Sequence, residues 1–140
     1  KIPLEIKFQD EDLLILNKYK DNLDNIRSQI DNQNINFYIN YIVNSLFEAN
    51  KYFNDQEPWK KKDNMIRLNT IVYTTLEIVR KISFLLYPII PESSLNALKI
   101  FDIIEKDIKF NSVSNNEYLI KGNYLNKIDI LFKKIEKNND

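Results

Sequence analysis

The 140-residue chain contains no cysteine and no histidine, a single glycine, four prolines and one tryptophan. Without cysteine there is neither a disulfide framework nor a thiolate metal site, a composition suited to a reducing compartment. Without histidine the usual general base, the usual activator of nucleophiles and the commonest metal ligand are missing. Catalysis would have to rest on carboxylates and lysines, so no catalytic and no metal-binding residue is expected. One glycine cannot build a glycine-rich phosphate loop. An excess of either charge is lacking too: 20 Lys and Arg balance 20 Asp and Glu. No global field then advertises nucleic acid or a basic partner, and any anion site must be local. The longest apolar run, ISFLLYPII (82–90), is too short to span a bilayer and contains Pro88. No signal-peptide pattern opens the chain. A cytoplasmic protein without membrane contact is expected, with an organellar matrix as the other compartment open to it. The first residue is Lys1 rather than methionine, from which a longer parent protein is expected.

What is present is helical periodicity. The spacing predicts an all-α fold, an antiparallel bundle of four to five helices with an irregular C-terminal tail. A first helix is expected over 10–31, capped by Asp10, with Glu11 and Asp12 at the positive end of its dipole. Leu16, Tyr19, Leu23, Ile26 and Ile30 share one of its faces. A second, about 34–53, carries the stripe Ile35, Ile39, Ile42, Leu46, Ala49 and Phe53, widened by Tyr38 and Val43. Pro58 disfavours helical geometry at Glu57, so this helix should end near 54–56. The third, about 63–87, has two apolar faces. One runs through Met65, Leu68, Val72, Leu76, Val79, Ser83 and Leu86, the other through Ile71, Ile78, Ile82 and Leu85. Such a helix belongs at the centre, and Val72, Leu76 and Val79 are expected to be more buried than any residue of 54–63. Pro91 suits the first turn of a fourth helix with Leu95, Leu98 and Phe101. Beyond 108 the pattern weakens: NSVSNNE reads as a polar loop, Gly122 as a turn, and KIDILFKKIE as either a strand or a last helix.

The stretch ANKYFNDQEPWKKKD (49–63) breaks the pattern. The only tryptophan, Trp59, follows a proline and precedes three lysines. Either the ring plugs a helix end or it is presented to a partner. A proline-fixed turn holding an indole beside Lys60, Lys61 and Lys62 would offer a flat face to an unstacked base, with cations for the adjoining phosphates. Taken alone, the lysines are balanced by Asp55, Glu57 and Asp63 and read as a solvated helix start. Tyr38, Tyr41 and Tyr52 read as packing residues, and Asp10, Glu11 and Asp12 as a cap rather than a catalytic cluster.

Ala49-Asn50-Lys51-Tyr52 followed by Glu57-Pro58-Trp59-Lys60 resembles the AN-K/R-Y…PW signature in the C-terminal helical domain of the methionyl-tRNA synthetase family. YTTLEIVRKISFLLYPIIPESS (73–94) is similar to that family's long helix ending in L-x-P-x-x-P-E-T. GNYLNKIDILFKKIE (122–136) resembles its closing G-x-x-I-x-K-P-x-P-L-F-P-R-I-E, keeping Gly122, Lys127, Leu131, Phe132, Ile135 and Glu136. The family's prolines there are Ile128, Ile130 and Lys133 here, so a less extended tail is expected.

The resemblance implies a class I anticodon-binding domain, 1–108, with a tail, 109–140, packing back on the bundle or on a catalytic domain outside this chain. It implies Trp59 as the residue that stacks on a base of the CAU anticodon and Pro58 as the residue that fixes its turn. Asn50 matches a family asparagine and is expected to cap its helix first and touch RNA second. Lys60, Lys61, Lys62 and Arg67 are expected phosphate contacts. The parent enzyme would ligate methionine to tRNA(Met) with ATP and magnesium. The fragment itself would need no cofactor, carry no catalysis, and have tRNA(Met) and the catalytic domain of its own polypeptide as partners. In the family, an asparagine and an arginine that also read the anticodon lie before the point where this chain begins. Two other readings stand beside this one: a helical protein-interaction module whose aromatic docks a partner helix, and the helical domain of another class I synthetase such as the leucine or valine enzyme.

Overall fold

The computed structural model describes residues 1–127. Five α-helices follow one another among these: α1 (Asp10–Asp21), α2 (Leu23–Asp31), α3 (Ile35–Gln56), α4 (Met65–Leu86) and α5 (Pro91–Leu98). Short 3-10 turns lie at Pro58–Lys60, Lys99–Phe101, Glu105–Asp107 and Phe110–Ser114. No strand occurs among the described residues, and none of their helices is long and apolar enough to cross a membrane. KIDILFKKIE lies, after Lys127, outside the described residues, so the choice between strand and helix there is not addressed.

The expected first helix is two. Asn22 ends α1 and begins α2, and its side-chain amide donates to the Lys18 carbonyl at 2.8 Å, sharing that acceptor with its own backbone N–H at 3.2 Å. The break lets α2 turn Ile26 fully inward. Asp10 is the first residue of α1 rather than its cap; Gln9 holds that position and its N–H donates to the Asp12 carboxylate at 2.8 Å. The N-termini of α3 and α4 are capped by Asn34 and Asn64, whose side chains accept from the Phe37 and Arg67 amides. Pro91 is the first residue of α5, as its missing N–H permits.

Helix α4 packs against α1, α3 and α5. Of its two expected apolar faces, one is buried and the other is largely not. Ile71, Ile78, Ile82 and Leu85 are buried, whereas Met65 is 57% and Val79 42% exposed, and Val72 and Leu76 are only half-buried. Pro58 is more buried than any of Val72, Leu76 and Val79, which reverses the ranking expected from apolarity. The reason is polar. Thr70, Thr74, Glu77, Arg80 and Lys81 share the inward side of α4, and Glu77, Arg80 and Lys81 bond to the segment that returns across it, while Thr70 bonds to Ile66 and Lys7. Arg80 donates to Glu77 and to the carbonyls of Ser112 and Asn115, Lys81 to the Val113 carbonyl and Asn116, and Glu77 accepts the Leu119 amide. In α3 the stripe is likewise rotated: Tyr38, Ile42, Ser45 and Tyr52 face inward, while Ile35, Ile39, Val43 and Leu46 are exposed. The hydroxyl of Tyr38 donates to the Leu85 carbonyl, so the inward tyrosines are packing residues with a satisfied polar tip.

The N-terminal segment closes the structure. Ile2 exchanges backbone hydrogen bonds with Gly122 and Asn123. Gly122 has φ +86, a left-handed conformation that favours glycine; a Cβ there would meet only a methyl of the exposed Leu4, which can turn aside.

Candidate nucleic-acid interface

The chain leaves α3 at Gln56 through Glu57, whose backbone is left-handed at φ 45 and ψ 59. This is a costly conformation for a residue with a side chain. Pro58 then starts the 3-10 turn and is buried, anchoring it. Trp59 follows at 52% exposure. Its ring is tilted 60° against Phe53, with centroids 6.2 Å apart. The indole therefore packs on Phe53 of α3 while about half of the residue stays open to solvent. The turn is closed by backbone bonds from Lys60 to Glu57 and from Lys61 to Pro58. Beside Trp59, Leu46, Phe53, Val79, Leu86, Ile90 and Ala97 line an apolar groove of about 400 Å³ between α3, α4 and α5.

The cations divide. Lys60 and Lys62 are exposed and Lys61 half-buried. Lys60 reaches back to Glu57 at 2.6 Å in a surface pair with both partners largely in water, a weak bond that a phosphate can displace. Arg67 is not presented at all. It is 7% exposed, and its guanidinium holds Asp12 through two bonds of 2.6 and 3.1 Å and Gln56 through one of 2.5 Å. The expected phosphate contact is thus corrected: Arg67 is spent inside the protein. Burial alone pulls its pKa down, but the hydrogen bond and charge of Asp12 outweigh this and hold it above the ordinary arginine value. Asp12 also accepts from Tyr52 Oη at 2.5 Å. Burial first, and then this bond and the carboxylate charge, push the Tyr52 phenol well above its usual range. Asn50 lies inside α3, well before its last residue, and is exposed at the rim of the groove. It caps nothing, contrary to expectation.

The structure thus brings Pro58, Trp59 and the three lysines together on one turn and removes Arg67 from them. What sequence reasoning missed is Phe53 as the support of the indole and the set Asp12, Tyr52, Gln56 and Arg67 beneath the turn. Phe53 stood in the α3 stripe and could have been placed from its spacing to Trp59. An acid in the first turn of α1 and an arginine 55 positions on give no pairing signal in a single sequence.

Residues 2–140 match the family model described as the anticodon binding domain of methionyl tRNA ligase. The chain belongs to this family. The methionine–tRNA ligase of Brucella suis is 33% identical over 105 residues, covering 74% of this chain and 20% of that protein. That of Methanocaldococcus jannaschii is 31% identical over 138 residues, 97% of this chain and 19% of that protein. The crystal structure of free-state Mycobacterium tuberculosis methionyl-tRNA synthetase superposes with a TM-score of 0.86 at 27% identity, over 97% of this chain and 28% of that one. This chain spans about a fifth of the length of the curated relatives. Among methionyl-tRNA ligase anticodon-binding domains it is thus similar along nearly all its length, and neither a free-standing interaction module nor the leucine or valine enzyme is favoured.

Proposed function

We propose that this domain selects tRNA(Met) for a methionine–tRNA ligase by stacking Trp59 on an unpaired base of the CAU anticodon. The observation that carries the reading is a half-exposed indole, packed against Phe53 and fixed by a buried proline. A ring so held loses little freedom when a base stacks on it. Lys60, Lys61 and Lys62 sit on the same turn and supply cations for the loop phosphates. Asn50, on the exposed side of α3, is in this reading a second RNA contact. Aminoacylation, with ATP and magnesium, belongs in this reading to a catalytic domain of the same polypeptide and to a cytoplasmic enzyme. The described residues do not themselves fit those cofactors: they form no cluster of three acidic metal ligands and no phosphate loop.

The test is Trp59→Ala in the full-length ligase. Binding of a tRNA with a CAU anticodon should weaken by one stack, about 1–3 kcal/mol, or roughly fivefold to 150-fold. Binding of a tRNA with a changed anticodon should not respond, and the urea midpoint should stay close to that of the unaltered protein. Equal losses for both tRNAs, or a fold destabilised by the roughly 3–5 kcal/mol of a lost core aromatic, would identify Trp59 as structural.

A further inference from the structure

We infer that Arg67, acting through Gln56, is the positioning residue of Trp59. The inference rests on the stacking role proposed for that tryptophan. Residues 57–64 leave the end of α3 and enter the start of α4, and Arg67 holds both edges of this loop. Its backbone amide donates to Asn64 Oδ1 at 3.0 Å, closing the α4 side. Its Nη2 donates to Gln56 Oε1 at 2.5 Å, closing the α3 side at the last helical residue before the left-handed Glu57. The guanidinium is in turn immobilised by the bidentate Asp12 carboxylate, which Tyr52 and the Gln9 amide also hold. A strained backbone persists only where its surroundings over-determine it. At Glu57 the backbone bonds to Asn54 and from Lys60 are joined by two flanking restraints, the buried Pro58 and this Gln56–Arg67 bond. Stacking needs the indole held at one angle, and an arginine fork is rigid enough to set it. Arg67 so reaches the anticodon without touching it.

Gln56 is half-buried and lies at the edge of the network, so it can be altered without uncovering the Asp12–Arg67 pair. Gln56→Ala removes the acceptor, whereas Gln56→Glu keeps one. Because Trp59 is the only tryptophan of the 140-residue chain, its fluorescence anisotropy reports the turn directly. The alanine variant should show lowered indole anisotropy while the protein stays folded, its urea midpoint lowered no further than one lost hydrogen bond accounts for. It should also bind an anticodon stem-loop RNA carrying CAU about tenfold more weakly, the worth of one charge-assisted hydrogen bond. The glutamate variant should match the unaltered protein in both readouts. Unaltered anisotropy in Gln56→Ala, or equal behaviour of the two variants, would overturn the inference. So would an anisotropy change without loss of affinity in a protein whose binding Trp59→Ala does weaken. If Trp59→Ala leaves RNA binding intact, the stacking role fails, while the anisotropy still decides whether Gln56 fixes the turn.

Discussion

Ile78 and Val79 are consecutive residues of α4 in opposite surroundings, one 1% and the other 42% exposed. Truncating Ile78 leaves a cavity among packed side chains, so Ile78→Ala should cost about 2–5 kcal/mol of unfolding free energy in urea titration. Truncating Val79 removes a methyl-bearing wall of the open groove, and Val79→Ala should stay within about 1 kcal/mol. Comparable losses at both positions would mean that the groove is filled in solution. The same pair shows what a single sequence leaves illegible. Both apolar faces of α4 were visible as a spacing, but hydrophobicity ranks valine beside isoleucine and cannot say which face wins. The decision lies with Glu77, Arg80 and Lys81, polar residues that look like surface until the returning segment supplies their partners. Trp59 was legible for the opposite reason. A tryptophan between a proline and three lysines is unusual locally, and its turn is built from local bonds.

At the scale of elements, helix positions followed their punctuation. Pro58 and Pro91 marked an end and a start, and the α3 boundary falls at Gln56 as the proline required. The division at Asn22 carried no proline or glycine and was missed. The join between α4 and residues 109–119 was equally hidden, because it is made by buried charge. It has a measurable consequence. Burial foremost, and then the positive charge of Arg80, push the Lys81 amine down to about 7, with Glu77 opposing. Burial lowers Arg80 as well. Between pH 7 and the ordinary lysine value the unfolded chain therefore carries a proton that the folded chain sheds. Stability must rise with pH across that window, and below it, where both states carry the proton, this group adds no pH dependence. The slope should approach about 1.4 kcal/mol per pH unit where only the unfolded lysine is charged. Urea unfolding of the protein between pH 7 and 9.5 should show this rise, and Lys81→Met should flatten it whatever its own stability. An undiminished slope in the variant would assign the effect to other groups.

The molecule as a whole is electrically neutral, 20 cationic against 20 anionic side chains, and this limits how it can hold RNA. Affinity that came from a broad basic surface would collapse with added salt, since every phosphate neutralised releases a counterion. Here the cations placed beside Trp59 are Lys60, Lys61 and Lys62. Arg67 is committed to Asp12 and Gln56, and Lys60 begins the encounter paired with Glu57. At about 0.7 counterions per phosphate for a single-stranded loop, three contacts give a slope of log affinity against log salt no steeper than about −2. Stacking, by contrast, is insensitive to salt at this level. The two contributions therefore separate in one titration. Lys62→Ala should make the slope shallower by about 0.7 with a modest loss of affinity. Trp59→Ala should lower affinity at every salt concentration and leave the slope where it was. A slope near −5 would instead mean that a basic surface elsewhere on the protein, and not the turn at Pro58, carries the RNA.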